Sequence, residues 1–118
     1  IKLNVTVPSH CELMNKPSSK FSKILNTIPL QLPKYKVIHN INSEISSSIE
    51  ELKLNLINQL THPVRWVDTM NYIKKFNGII IECGPGKVLS GLAKGNNIND
   101  NVYSASSVNF LDEFKKII

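Results

Sequence analysis

The sequence predicts an α/β layer fold, because strand-type and helix-type hydrophobic patterns alternate along its 118 residues. Residues 79–81 form a short, wholly apolar run that follows an Asn-Gly pair and precedes a Gly-Pro-Gly turn at 84–86, as expected of a buried strand in a parallel sheet. Elsewhere, apolar residues recur at spacings of three and four, which indicates amphipathic helices. No internal repeat or low-complexity segment interrupts this alternation.

Two strands and two helices are expected in the first half of the chain. The alternating stretch 1–7 predicts an opening strand, and apolar residues at helical spacing predict a helix over about 17–27. Residues 35–39 are rich in aromatic and β-branched side chains, and they predict a second strand. The serines at 46–48 are expected to cap the next helix, which ends before Pro63.

Three helices and two short strands are expected in the second half. A stripe of apolar residues over 66–76 predicts the third helix, ended by the Asn-Gly pair that follows it. The apolar strand at 79–81 turns into a helix that carries the apolar residues of 88–92. Residues 102–103 predict the last strand, and the tail 107–118 predicts a closing amphipathic helix.

Composition and charge argue against several classes of protein. The formal net charge is +5, but the lysines are scattered and Arg65 is the single arginine, whereas nucleic-acid binding favours a concentrated basic stripe. Cys11 and Cys83 are too few for a disulfide framework and lack zinc-finger spacing, so free thiols are expected. Without an apolar run of roughly 20 residues, we expect no membrane span and a cytoplasmic protein. Because the sequence opens at Ile1 directly in a strand pattern, we expect it to be part of something longer.

Five short stretches match the motifs of one known family in the same order. They are residues 5–14 (VTVPSHCELM), 37–41 (VIHNI), 58–60 with 63–66 (NQL, PVRW), 82–89 (ECGPGKVL) and 90–92 (SGL). In this order they resemble the motifs of the malonyl-CoA:acyl carrier protein transacylases, and together they cover nearly the whole chain. The combination, rather than any single stretch, carries the resemblance.

The resemblance implies a role for His10. In this family the corresponding histidine takes the proton from a serine as it attacks a malonyl thioester, then returns the proton to the departing thiol. The predicted setting of His10 agrees, because a strand-to-helix turn holds a residue near the carboxyl edge of a sheet, where α/β enzymes place their sites. A lone histidine without such motifs is more often a structural or surface residue.

The resemblance also implies roles for Gln59 and Ser9. Gln59 matches the family glutamine whose main-chain carbonyl accepts the other ring N–H of the histidine and fixes its tautomer. The alternative is that Gln59 merely ends a surface helix. Ser9 precedes the histidine where the family adjusts the room for the acyl α-carbon, and its small side chain is compatible with malonyl without excluding methylmalonyl. The alternative for Ser9 is a cap on the following helix.

Other polar residues receive no role in the chemistry. The Gly-Pro-Gly turn followed by Lys87 lacks the spacing of a phosphate-binding loop, so it is interpreted as a tight turn at the edge of the site. His39 and His62 have no acidic or thiol neighbour in the sequence that suggests a role, and surface or packing positions are expected for both.

The chain does not contain the whole catalytic machinery of the family. No serine has the G-x-S-x-G pattern of a nucleophile elbow, since Ser90 has Val88 where the first glycine should stand. Arg65 lies in the Pro-Val-x-Trp stretch and does not match the family's carboxylate-binding arginine, and the family's oxyanion-hole glutamine is not matched either. We therefore expect this chain alone to be inactive.

The resemblance implies the C-terminal portion of the hydrolase-like large domain of an acyltransferase, at 8–118, opening with the last strand of the ferredoxin-like small subdomain, at 1–7. The implied reaction transfers malonyl from malonyl-CoA to the phosphopantetheine thiol of acyl carrier protein, and no metal or redox cofactor is implied. Two alternatives stay open. One is the acyltransferase domain of a larger synthase that uses another acyl group. The other is a non-catalytic module that binds acyl carrier protein through its lysines.

Overall fold

The computed structural model describes residues 7–117, so the strand expected at 1–7 lies outside the described residues except for its last position. The chain divides into two compact units, Ile1–Thr69 and Met70–Ile118. The structure is mixed α/β, as the sequence predicts. In chain order its elements are a 3₁₀ turn Glu12–Met14, α1 (Asn15–Thr27), α2 (Ile49–Asn58), α3 (Trp66–Ile73), β1 (Ile80–Glu82), α4 (Val88–Gly95), β2 (Val102–Ser104) and α5 (Phe110–Phe114).

In the first unit, α1 packs against α2. Helix α1 buries Ser18 and Leu25, and helix α2 buries Leu52 and Asn55, so each helix presents a mixed polar and apolar face. The expected serine cap is confirmed, because Ser48 is the N-cap of α2 and its hydroxyl accepts the Glu51 N–H at 3.1 Å. The 3₁₀ turn extends the first helical region toward His10.

The prediction of a strand at 35–39 is wrong, because this segment forms no strand in the structure. A single antiparallel bridge joins Ile38 to Ile45, and the His39 N–H donates to the Glu44 carbonyl at 2.9 Å. A ladder needs a neighbouring strand of comparable length, whereas here the chain turns back on itself through Ser43, which has a positive φ of 60°. The β-branched composition of this segment therefore gives a bridged loop.

The second unit contains both strands that the sequence predicts there, and they pair in parallel. Strands β1 and β2 pair in the register Ile80↔Val102, Ile81↔Tyr103 and Glu82↔Ser104, with α4 in the crossover. The expectation that the apolar run is buried is wrong, because Ile79 and Ile81 are 39% and 36% exposed. The isoleucines are exposed because β1 has one paired neighbour among the described residues. The buried residue of β1 is instead Glu82, at 8% exposure.

Helices α3 and α5 are both shorter than the sequence predicts. Helix α3 ends at Ile73, before the expected Asn-Gly stop, and the chain continues in turns. The closing helix α5 runs only from Phe110 to Phe114, with Val108 fully exposed ahead of it. None of the helices within residues 7–117 combines the length and the hydropathy that crossing a bilayer requires.

Candidate active site

His10 lies in the turn that leads into α1, with a positive φ of 56°. A non-glycine residue in this left-handed region is disfavoured by about 1–2 kcal/mol, so the surrounding structure must hold it there. The ring is partly buried, and it makes one hydrogen bond to the residues that the structure describes.

The His10 ring is fixed by the main chain of Gln59. Its Nδ1 lies 2.7 Å from the Gln59 carbonyl oxygen, across 49 residues of sequence. A carbonyl oxygen can only accept, so Nδ1 carries the proton, and in the neutral ring Nε2 is left with a lone pair. This is the contact that the family resemblance implies for the two residues.

Helix α2 explains why this carbonyl is available. Gln59 is the C-cap of α2, and the last carbonyls of a helix have no intrahelical partner. The Asn58 carbonyl accepts the N–H groups of Thr61 and His62, while the next carbonyl along accepts the His10 ring. The C-terminal end of a helix also carries partial negative charge. Gln59 therefore ends a helix, as the alternative interpretation holds, and also contacts His10.

An open recess of about 570 Å³ adjoins His10, lined by the contiguous segments 10–12 and 61–63 together with Asn15. His62 belongs to this lining, with its Nδ1 held 2.9 Å from the Asn58 carbonyl. Its place beside His10 was not visible in the sequence, because the two histidines are 52 positions apart and share no motif. Cys11 also lies on the recess and is a free thiol.

Ser9 is exposed beside His10. The helix-capping interpretation of Ser9 is wrong, because the N-caps of the 3₁₀ turn and of α1 are Cys11 and Met14, neither with a side-chain cap bond. The position is therefore not explained by local capping.

The Gly-Pro-Gly turn is held by a buried carboxylate that the sequence reasoning missed. Glu82 accepts the Leu89 N–H at 3.0 Å, and it accepts the N–H and hydroxyl of Ser90 at 2.9 and 2.6 Å. The Ser90 hydroxyl and amide, joined by the Leu89 amide, hold the pKa of Glu82 below its usual value despite partial desolvation. Glu82 precedes its two amide partners, Leu89 and Ser90, by seven and eight residues, and no sequence pattern distinguishes it from an exposed acid.

Neither His39 nor Arg65 lines the recess. His39 is a packing residue, 5% exposed, and burial lowers its pKa while the nearby Glu51 carboxylate partly offsets this. Arg65 donates from Nε to Asp68 at 2.7 Å on the surface and is not part of the recess lining. Within residues 7–117, no group of three or more His, Cys, Asp or Glu side chains could hold a metal ion.

The described fold is similar to that of solved acyltransferase structures, each of them longer than this chain. The crystal structure of FabD from Acinetobacter baumannii matches with a TM-score of 0.85 and 34% identity, and the match covers 99% of this chain and 38% of that one. A malonyl CoA-acyl carrier protein transacylase from Coxiella burnetii matches with a TM-score of 0.83 and 31% identity, over 97% and 36% of the two chains. A malonyl-transacylase in complex with a type II PKS acyl-carrier protein has a TM-score of 0.77 and 32% identity, over 97% and 38%.

Curated relatives give the same result from sequence. The malonyl CoA-acyl carrier protein transacylase of Haemophilus influenzae is 34% identical over 119 residues, which cover 97% of this chain and 38% of the relative. That of Bacillus subtilis is 37% identical over 95 residues, covering 80% and 30%. No protein-family profile matches. The chain is thus homologous to the malonyl CoA-acyl carrier protein transacylases along nearly its whole length, and it spans less than two fifths of theirs.

Proposed function

We propose that this chain supplies the histidine-bearing part of a transacylase that moves a malonyl group from malonyl-CoA to the phosphopantetheine thiol of acyl carrier protein. The observation that carries the proposal is the 2.7 Å contact between His10 Nδ1 and the Gln59 carbonyl. It leaves Nε2 as a proton acceptor in a fixed orientation beside an open recess. The homology supports the choice of malonyl as the acyl group.

In the proposed reaction, His10 acts first as a base and then as an acid. Nε2 takes the proton of a serine hydroxyl while the serine oxygen attacks the thioester carbonyl. The tetrahedral intermediate then collapses, the carbon–sulfur bond breaks, and the same proton passes to the coenzyme A sulfur. Acyl transfer to the carrier thiol repeats these steps in reverse order. The serine belongs to a part of the enzyme that this chain does not contain.

The imidazolium formed midway needs a partner. The Gln59 carbonyl is a neutral acceptor, and the partial negative charge at the end of α2 adds to it. Together they would play the part that a carboxylate plays in a Ser-His-Asp triad. Ser9, exposed beside His10, would leave room for the acyl α-carbon.

The remaining assignments follow from the same homology. Residues 8–118 would complete the large acyltransferase domain, and 1–7 would be the last strand of the small ferredoxin-like subdomain. Malonyl-CoA and acyl carrier protein would be the partners, and the reaction would take place in the cytoplasm. The chemistry of His10 as base and acid requires no metal or redox cofactor.

A chimera tests this proposal. The chain replaces the matching segment of the Haemophilus influenzae relative, and transfer of labelled malonyl from malonyl-CoA to acyl carrier protein is measured. We expect the chimera to transfer malonyl and its His10→Ala variant to lose about 10³-fold or more of the rate. A Lys23→Ala variant, at an exposed position of α1, is the matched control and should keep the rate. A folded chimera that binds carrier protein in a salt-sensitive way without transfer would instead support the non-catalytic binding module.

A further inference from the structure

A polar cluster formed by His39, Ser46 and Asn55, called the His39 cluster below, joins the loop 39–46 to helix α2. The Asn55 amide donates to the Ser46 hydroxyl at 3.1 Å, and that hydroxyl lies 2.7 Å from His39 Nε2. His39 and Asn55 are 5% and 6% exposed. Because Ser46 accepts from the amide, its own proton is free to go to Nε2 of a neutral imidazole, so every member of the chain of bonds has a partner.

The His39 cluster fixes helix α2 at one point along its axis. Asn55 lies on the buried face of α2, one turn before Gln59, and its carbonyl accepts the Gln59 N–H at 3.1 Å. Apolar contacts such as that of Leu52 tolerate small sliding and rotation of a helix, whereas a hydrogen bond constrains both distance and angle. The Gln59 carbonyl therefore takes its position from the place where Asn55 is tied.

The same loop holds the other end of the segment that carries the accepting carbonyl. The Arg65 N–H donates to the Asn40 carbonyl at 2.7 Å, and the Ser43 hydroxyl donates to the Arg65 carbonyl at 3.3 Å. The segment 59–65 is thus tied on both sides to the loop 39–46. Two anchors leave that segment little freedom to move.

We propose that the His39 cluster is the positioning unit of the candidate active site, setting the direction of the Gln59 carbonyl and, through it, the tautomer of His10. The purpose of this arrangement rests on the proposed function. The three side chains act through the main chain of α2, so they are positioning residues and take no proton from substrate.

The rival explanation is that the cluster only contributes to stability. The two differ in one observable, the ratio of Nδ1–H to Nε2–H tautomers of the neutral His10 ring, which ¹⁵N NMR of the ring nitrogens measures. Loss of stability alone does not change this ratio in the folded chain. Loss of a directed carbonyl does, because the bond to Gln59 is what favours the Nδ1–H form.

The test compares Ser46→Val with Ser46→Thr in the 118-residue chain. The two side chains have nearly the same shape, but only threonine keeps the hydroxyl at the centre of the cluster. We expect the tautomer ratio of His10 to fall at least tenfold in Ser46→Val and to stay within twofold of the original in Ser46→Thr. Ser48→Ala, which removes the N-cap bond of the same helix and leaves the cluster intact, should also keep the ratio.

An unchanged ratio in Ser46→Val, or an equal fall in Ser46→Thr, overturns the proposal. If circular dichroism shows that Ser46→Val does not fold, Asn55→Leu takes its place, with the same expected fall in the ratio and the same refuting result. The measurement uses no substrate. Failure of the chimera to transfer malonyl would therefore refute the proposed function only. The positioning role of the His39 cluster would still be decided by the tautomer ratio of His10.

Discussion

Leu60→Pro perturbs the candidate site by turning a single carbonyl group. Gln59 has φ −57° and ψ −23°, in the right-handed helical region. A proline at position 60 pushes the preceding residue to a ψ of about +120° to +160°. The Gln59 carbonyl would rotate by roughly 140–180° and point away from His10 Nδ1.

The expected loss follows from the bonds involved. In the chimera described above, loss of the group that orients His10 should lower the malonyl transfer rate by about 10²-fold or more, as for other orienting groups of catalytic histidines. The substitution also removes the Leu60 N–H bond to the Ile57 carbonyl at 3.3 Å, at a cost of about 1 kcal/mol in the free energy of unfolding. Gln59→Ala keeps the carbonyl and should change the rate by no more than about twofold.

The assay is transfer of labelled malonyl to acyl carrier protein, with Leu60→Ala as the control that changes the side chain and keeps the backbone. Circular dichroism establishes that each variant is folded at the assay temperature. The reasoning is refuted if folded Leu60→Pro keeps more than a tenth of the rate. It is equally refuted if Gln59→Ala lowers the rate as much as Leu60→Pro does, because the side chain would then carry the role assigned to the carbonyl.

Three further predictions concern stability and are read from unfolding by denaturant. Ser48→Ala removes the N-cap bond to the Glu51 N–H and should lower the free energy of unfolding by about 1 kcal/mol, with little change if the cap is dispensable. Because the pKa of Glu82 is lowered, the contribution of this carboxylate to the free energy of unfolding is complete above the ordinary value of 4.5 and is lost as pH falls through the folded-state pKa. Glu82→Gln should therefore flatten the acid side of a plot of stability against pH. An unchanged slope there would contradict the role of Glu82 as the acceptor for the first turn of α4. Gly86 has φ 91° with nothing within 4 Å of an added Cβ, so Gly86→Ala should lower the free energy of unfolding by about 1–2 kcal/mol through backbone strain alone. The same change at Gly91, inside helix α4, should raise it by about 0.5–1 kcal/mol. If both substitutions changed stability in the same direction, backbone conformation could not be the sole cause.

Local patterns predicted those elements whose stability is decided locally. The helical periodicity before Thr27 and after Ser48 predicted α1 and α2 within a few residues, and the serine cap followed from the side chain that accepts the Glu51 N–H. The strands at 79–81 and 102–103 were predicted from their local patterns, whereas their pairing with each other was seen only in the structure. The contact between His10 and Gln59 came from the family resemblance, because no local pattern shows which carbonyl faces a ring 49 residues away.

Features that depend on distant partners escaped the sequence. Residues 35–39 have strand-type composition but meet no neighbouring strand of matching length, so they form a single bridge. The buried Glu82 could not be separated from an exposed acid, because its burial depends on amides seven and eight residues later. The His39 cluster was likewise invisible, since a histidine, a serine and an asparagine become one network only when the loop folds onto α2.

The central claim is that His10 donates from Nδ1 to the Gln59 carbonyl and keeps Nε2 free to accept a proton. The most direct test is the ¹⁵N NMR spectrum of the His10 ring in the unmodified chain, recorded where the imidazole is neutral. The structure predicts that the Nδ1–H tautomer predominates, with the lone pair on Nε2. A predominant Nε2–H tautomer would contradict the account, because the nitrogen assigned to take the serine proton would already carry one.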